Sequence, residues 1–177
     1  NPSGSCCSAG NCSVGIQSAC NGVWTLAGTC TPNPCPPLND DCANRAGLGL
    51  GTLAFDTTNA TTDGIAHNPT CLFFGNDQIT KDIWFNHPSS ANGTLVIDTC
   101  GSSFDTKIAV YSGFGCLDYA TRLIACNDDA TAAVPNACGP HSPQSWVTTP
   151  AVAGEHYTTR IGGFNNDFRL TAGALAL

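Results

Sequence analysis

Twelve of the 177 residues are cysteine, an even number that lets every thiol be paired. That density approaches the level at which a short chain is read as a disulfide scaffold. Disulfides persist in oxidising compartments, so the expected setting is secreted, extracellular or on a cell surface. Charge points the same way. Six Lys and Arg stand against 13 Asp and Glu, a net charge of -7, and neutralising phosphates requires clustered cations, which excludes nucleic acid as a partner. Charged residues make up 11% of the chain, well under the ~25% of an ordinary domain. Ser, Thr, Asn and Gly must therefore cover the surface, with little charge to keep like chains apart. No apolar run reaches the ~18 residues of a membrane span, and a chain opening at Asn1 is expected to follow a removed signal peptide.

The first 35 residues hold half the cysteines, Cys6, Cys7, Cys12, Cys20, Cys30 and Cys35, in a Gly-, Ser-, Asn- and Pro-rich stretch. Val14, Ile16, Val23, Trp24 and Leu26 are too few to build an ordinary core, so covalent staples are expected to replace buried area. Pro34, Pro36 and Pro37 read as a stiff linker, giving a stapled module over 1–37 and a second domain over 38–177.

The second domain alternates short β-branched and aromatic runs with turn residues, the pattern of an all-β sandwich. Eight strands are predicted, at 48–55, 82–86, 94–99, 107–111, 123–126, 145–148, 157–161 and 170–177, with one face of each directed to the core. Asn92-Gly93, Gly101-Ser102-Ser103, the 112–115 turn and Ala153-Gly154 favour antiparallel reversals. The remaining cysteines are Cys42, Cys71, Cys100, Cys116, Cys126 and Cys138. If 94–99 runs up, 107–111 down and 123–126 up, Cys100 and Cys126 share an end. Cys100 and Cys116 then lie roughly 15 Å or more apart, beyond disulfide reach. This geometry predicts Cys100–Cys126, leaving Cys42–Cys71 and Cys116–Cys138 by elimination.

Residues 39–177 carry a series of stretches in a particular order: Asn39-Asp40-Asp41-Cys42-Ala43-Asn44, Phe55-Asp56-Thr57-Thr58-Asn59, Lys81-Asp82-Ile83-Trp84-Phe85, Phe104-Asp105-Thr106-Lys107-Ile108-Ala109-Val110-Tyr111, Cys126-Asn127-Asp128-Asp129, and Tyr157 with Ile161-Gly162-Gly163. In content and order they resemble the cysteine-bearing form of the bacterial pre-peptidase C-terminal (PPC-type) domain. The resemblance implies a jelly-roll-like antiparallel β-sandwich that is an accessory in secreted proteins and not itself an enzyme, linked to secretion, surface attachment or carbohydrate binding. Within these 177 residues no peptidase motif accompanies it.

Four groups of residues are candidates for chemistry. The up-and-down order brings Asp98, Asp105, Asp128 and Asp129 to one end, where oxygens on two loops suit a calcium ion; the alternative is that they cap turns by accepting backbone N–H groups. Trp24, Trp146 and Tyr119 are candidates for a sugar-stacking platform, whereas Trp84, Phe55, Phe73 and Phe85 fit a core pattern. Asn11, Asn59 and Asn92 stand in N-x-S/T contexts, read either as glycan acceptors or as chance in a Thr- and Asn-rich surface. The histidines His67, His87, His141 and His156 are scattered, and no H-E-x-x-H, paired C-x-x-C, G-x-S-x-G elbow or phosphate-binding loop occurs.

Three function classes follow. A structural or adhesive subunit of an extracellular filament or surface layer, with copies of itself as partners, suits a stapled, charge-poor chain whose apolar end, Ala172-Gly173-Ala174-Leu175-Ala176-Leu177, is able to extend a sheet. A module binding polysaccharide or a cell surface is the alternative. A secreted hydrolase would need a nucleophile and base in hydrogen-bond contact.

Overall fold

The computed structural model describes residues 1–116, 119–130, 138–139, 142–165 and 173–176, with Tyr119, Ala120 and the last four residues described as backbone. It is all-β, as expected. A three-stranded sheet comes first, with β1 (Ser3–Ser8) between β2 (Asn11–Ile16) and β3 (Val23–Leu26). Cys6–Cys20, Cys7–Cys35 and Cys12–Cys30 hold it together. Its apolar side chains do not form a core: Val14, Val23 and Leu26 are 62%, 72% and 61% exposed, so sulfur bridges take the place of burial here.

Nine further strands form two sheets. They are β4 (Ala46–Gly47), β5 (Thr52–Phe55), β6 (Thr80–Pro88), β7 (Gly93–Asp98), β8 (Thr106–Ser112), β9 (Leu123–Asn127), β10 (Trp146–Ala151), β11 (His156–Gly163) and β12 (Gly173–Ala176). A short helix, α1 (Tyr119–Arg122), precedes β9. The four-stranded sheet runs β10-β7-β12-β5 and the five-stranded sheet β4-β6-β11-β8-β9. Between them Phe55, Ile83, Phe85, Leu95, Ile97, Ile108, Val110, Val147, Tyr157 and Ile161 make the main core. The predicted 48–55 run divides because Gly49, Leu50 and Gly51 carry the chain from β4, on one sheet, to β5 on the other. Of the predicted last strand, 170–172 and Leu177 lie outside the described residues.

The expectation that only one face of each strand is buried fails for the five-stranded sheet. Its central strands β6, β8 and β11 are buried on both faces. The inner set alternates with Trp84, Ala109 and Tyr111, which form a second cluster with Cys42, Cys71 and Ile79 on the outer face. The covering layer is the 56–79 segment, whose backbone reaches the sheet through Asp82 N–H to Thr61 O at 2.9 Å and through hydrogen bonds to Arg160 and Lys107. Gly64 is required there, since a Cβ would lie 2.2 Å from Arg160 Cζ.

The same layering overturns the predicted pairing. The observed bridges are Cys42–Cys116, Cys71–Cys126 and Cys100–Cys138. An up-and-down reading puts consecutive strands side by side in one sheet, but β7 and β8 belong to different sheets. Cys126 is not at a strand end either. It sits opposite Ala109 inside the β8–β9 ladder, on the outer face. There it meets Cys71 of the covering segment and is turned away from Cys100 at the end of β7. Cys100 instead bridges to Cys138, and Cys116, after β8, meets Cys42 beside the 3-10 turn that opens this domain.

Candidate functional site

The ends of β7, β8, β9 and β10 converge through a buried hydroxyl network. Thr99 and Thr106 share a hydrogen bond at 2.5 Å, and Ser145 Oγ lies 2.6 Å from the carbonyls of both Thr106 and Asp128, with a single proton to donate to one of them at a time. The four predicted aspartates lie around this convergence without forming one set. Asp98 Oδ1 accepts the Cys100 N–H at 3.0 Å, the turn-capping role. Burial raises its carboxyl above the ordinary 3.8 and that hydrogen bond opposes the rise. Asp105, Asp128 and Asp129 share a field instead. Asp128 is 2% exposed and its Oδ1 has no hydrogen-bond partner. Burial pushes its carboxyl up to about 7, Lys107 opposing and Asp105 and Asp129 adding to the rise.

Lys107 precedes Ile108, which pairs with Asn127, so it faces Asp128 across the β8–β9 ladder. Its Nζ is buried and donates to the carbonyls of Asn76, Gln78 and Cys71 at 3.0, 3.3 and 3.4 Å, satisfying all three ammonium protons. The ring of Phe164 lies 4.8 Å away. Burial lowers the Lys107 pKa, while Asp128, Asp105 and Asp77 oppose the fall. The Lys107 ammonium is thus held by backbone carbonyls, and Asp128 and Asp105 act on it through their field. Among the described residues the trio with metal-ligand spacing is Asp98, Cys100 and Cys138, and both of its sulfurs are joined in a disulfide.

A second buried charge centre escaped the sequence reading. Arg160 is fully buried on β11. Its Nε donates to Asp82 Oδ2 at 2.8 Å, and its two terminal nitrogens reach Ile65 O, Gly64 O, Ile79 O and Gln78 Oε1 at 2.7 to 3.0 Å. Trp84 lies alongside, its indole N–H donating to Asp63 Oδ1 at 3.1 Å. Burial raises Asp82 to about 6 against the opposing pull of Arg160. His67 Nε2 is 2.8 Å from the Tyr111 hydroxyl, and burial, with Arg160 adding, lowers its pKa. These contacts pin the covering segment to the sheet. The available signal was Lys107, Trp84, Tyr111 and Arg160 falling on one alternation face, an unlikely set for solvent.

The remaining candidates separate. Trp24 is half-buried against Gly4, its Nε1 donating to Gly15 O at 3.1 Å. Trp146 is half-buried with its Nε1 buried and unpartnered. The Tyr119 side chain lies outside the described residues, as does His141. Asn59 Nδ2 is engaged at 2.6 Å with Asn33 O, joining the sandwich to the first module. Asn92 is exposed, its Oδ1 accepting the Ala153 N–H. Asn11 is exposed with its Nδ2 donating to Ala9 O. His87 Nδ1 contacts Leu48 O at 3.0 Å, and His156 packs its ring on Phe114. Phe74 is 84% exposed at the tip of the 73–76 turn with φ of 46°, a region aromatic residues seldom occupy.

No protein-family model and no curated protein matches the chain. Among solved structures, the pre-peptidase C-terminal domain of collagenase from Bacillus anthracis is similar at 7% identity and a TM-score of 0.42, over 75% of this chain and 92% of that one.

Proposed function

We propose that the chain is a secreted, non-catalytic structural or adhesive protein, a self-assembling subunit of an extracellular filament or surface layer. The observation that carries this reading is that all twelve cysteines are spent in six disulfides while apolar side chains stay outside. Val14, Val23 and Leu26 lie on β2 and β3, the two open edges of the first sheet. An uncharged, open-edged, covalently held sheet is suited to contact between copies. The described histidines His67, His87 and His156 are engaged by a phenol, a carbonyl and a ring, in packing roles. The described part of the chain contains no helix long and apolar enough to cross a membrane.

Light scattering across a concentration series followed by negative-stain electron microscopy tests the reading. Ordered polymers are expected, and Val23→Asp with Leu26→Asp should suppress them. Monodisperse single particles at high concentration would overturn it.

A further inference from the structure

The sulfur of Cys116 has an unusual neighbour. Arg45 Nη1 lies 2.9 Å from Cys116 Sγ, the half of the Cys42–Cys116 bridge that follows β8. Among the described residues no other disulfide sulfur has a cation in hydrogen-bond contact. The guanidinium is held in place. Its Nη1 also donates to Cys42 O at 2.9 Å, its Nη2 donates to Phe114 O at 2.7 Å, and its Cζ stands 3.9 Å over the Phe114 ring. Its Nε is buried with no acceptor. Acids outnumber bases 13 to 6 in the chain, yet among the described residues no carboxylate pairs with Arg45, and the ion pair they contain joins Arg160 to Asp82.

A disulfide sulfur is an uncharged, weak acceptor and gains little from a guanidinium. A thiolate in the same place gains a charge-assisted hydrogen bond. The arrangement is therefore more complementary to the reduced form of Cys116 than to the oxidised one, and a bridge whose reduced form is stabilised gives up its bond more readily. The bridge also has a place in the fold. It closes 74 residues, the longest span of the six. Trp84 N–H donates to Asn39 O and Leu48 N–H to Asn86 O, both at 2.8 Å, which lays the 39–48 segment along the edge of β6. Cys42, between them, ties that segment across to the turn after β8, so opening the bridge removes its covalent fastening and leaves its hydrogen bonds.

We propose that Cys42–Cys116 is a thiol-exchange site opened by a dithiol-bearing partner, with Arg45 holding the Cys116 thiolate. The exchange takes two steps. One thiolate of the dithiol attacks Cys116 Sγ, since Cys116 is half-buried and Cys42 buried, forming an S–S bond to it and expelling Cys42 as a thiolate, which takes up a proton. The second thiolate of the dithiol then attacks the partner sulfur of that mixed disulfide, closing the partner's own disulfide and releasing the Cys116 thiolate beside Arg45. The dithiol loses two electrons and two protons. The bridge gains both electrons, Cys42 takes one proton and solvent the other. The proposal does not rest on the chain assembling with copies of itself.

The test equilibrates the full chain in a series of reduced-to-oxidised dithiothreitol ratios, quenches in acid, alkylates the free thiols and assigns them by peptide mass. Cys42 and Cys116 should become labelled together and before the other two bridges of the sandwich. Arg45→Met should move that midpoint to a ratio at least about tenfold more reducing and leave the other bridges where they were, whereas Arg45→Lys, which keeps a charge, should retain part of the effect. In the parent chain opened at this bridge alone, iodoacetamide should react with Cys116 along a pH profile about one unit below that of Cys42, a difference that a packing role for Arg45 does not produce. Should Arg45→Met fail to fold, the pH profiles of the unaltered chain decide. Three results would overturn the proposal: Cys71–Cys126 or Cys100–Cys138 opening first, a folded Arg45→Met with the parent's midpoint, or coincident pH profiles at Cys116 and Cys42.

Discussion

At the residue scale the unusual feature is two cations buried on the outer face of the five-stranded sheet, of which Arg160 is ion-paired with Asp82 at 2.8 Å. Breaking such a pair from one side leaves an uncompensated charge and costs about 3–5 kcal/mol, whereas replacing both partners is often near neutral. Arg160→Met should therefore destabilise the fold by that order in urea unfolding, and Arg160→Met with Asp82→Leu should recover much of the loss. Asp128 gives a pH prediction. Its folded value, about 7, lies above the ordinary 3.8, so its contribution is full below 3.8 and is lost as pH rises through about 7. His67 acts in the opposite sense: its folded value lies below 6.5, so its contribution is present above 6.5 and lost as pH falls. The comparison that isolates Asp128 is the variant against the parent. Asp128→Asn should be more stable than the parent by roughly 1–3 kcal/mol at pH 8, with the difference shrinking toward pH 4. Equal differences at both pH values would sink that account.

Lys107 also yields an ion prediction. Because its charge already acts on Asp105 and Asp128, millimolar calcium should leave the melting temperature unchanged relative to chelator. Lys107→Met, which leaves the carboxylates without their tethered cation, should make the melting temperature rise with calcium. A rise in the parent protein would instead favour a calcium ion at these aspartates.

At the element scale the decisive piece is the 56–79 segment, which lacks long regular structure and yet closes a core. Hydrogen bonds from Arg160 and Lys107 to its carbonyls hold it, as does the Cys71–Cys126 bridge, which spans 55 residues. Loop-closure entropy for that span is worth about 4 kcal/mol. Replacing both cysteines with serine should lower stability by up to that amount, and limited proteolysis should then cut first within 61–79. The segment also accounts for a misreading of the strands, because a covered sheet removes the inward–outward contrast that alternation detects. Thr158 and Arg160 look like a solvent face by residue type alone. They are buried because another part of the chain supplies their partners.

At the scale of the whole molecule, sulfur chemistry divides the chain. Three bridges close within residues 6–35 and three within 42–138. Among the described residues the two stretches meet through the Asn59–Asn33 hydrogen bond, the close approach of Gly10 to Leu38, and clefts that Cys7 and Val23 line with Asp40 and Asn44, and Asn33 and Cys35 with Asp56 and Thr58; we propose that each nevertheless folds on its own disulfides. Residues 38–177 produced alone in an oxidising host should therefore fold with three disulfides, read by intact mass before and after reduction, with a melting temperature within a few degrees of the full chain. Free thiols in that fragment would refute the division.

Residue pattern alone determined the all-β class, the approximate place of most strands and complete cysteine pairing, because each rests on local preference or composition: β-branched runs, turn residues, an even thiol count. Which sheet each strand joins, and so which cysteines meet, was decided only by the tertiary structure. Asn92-Gly93, Gly101 and Gly154 announce reversals, but a reversal into the facing sheet and one into the neighbouring strand use the same residues. The buried Arg160 and Lys107 were likewise hidden, since a charge is stable in the interior only when segments distant in sequence bring it carbonyls and carboxylates.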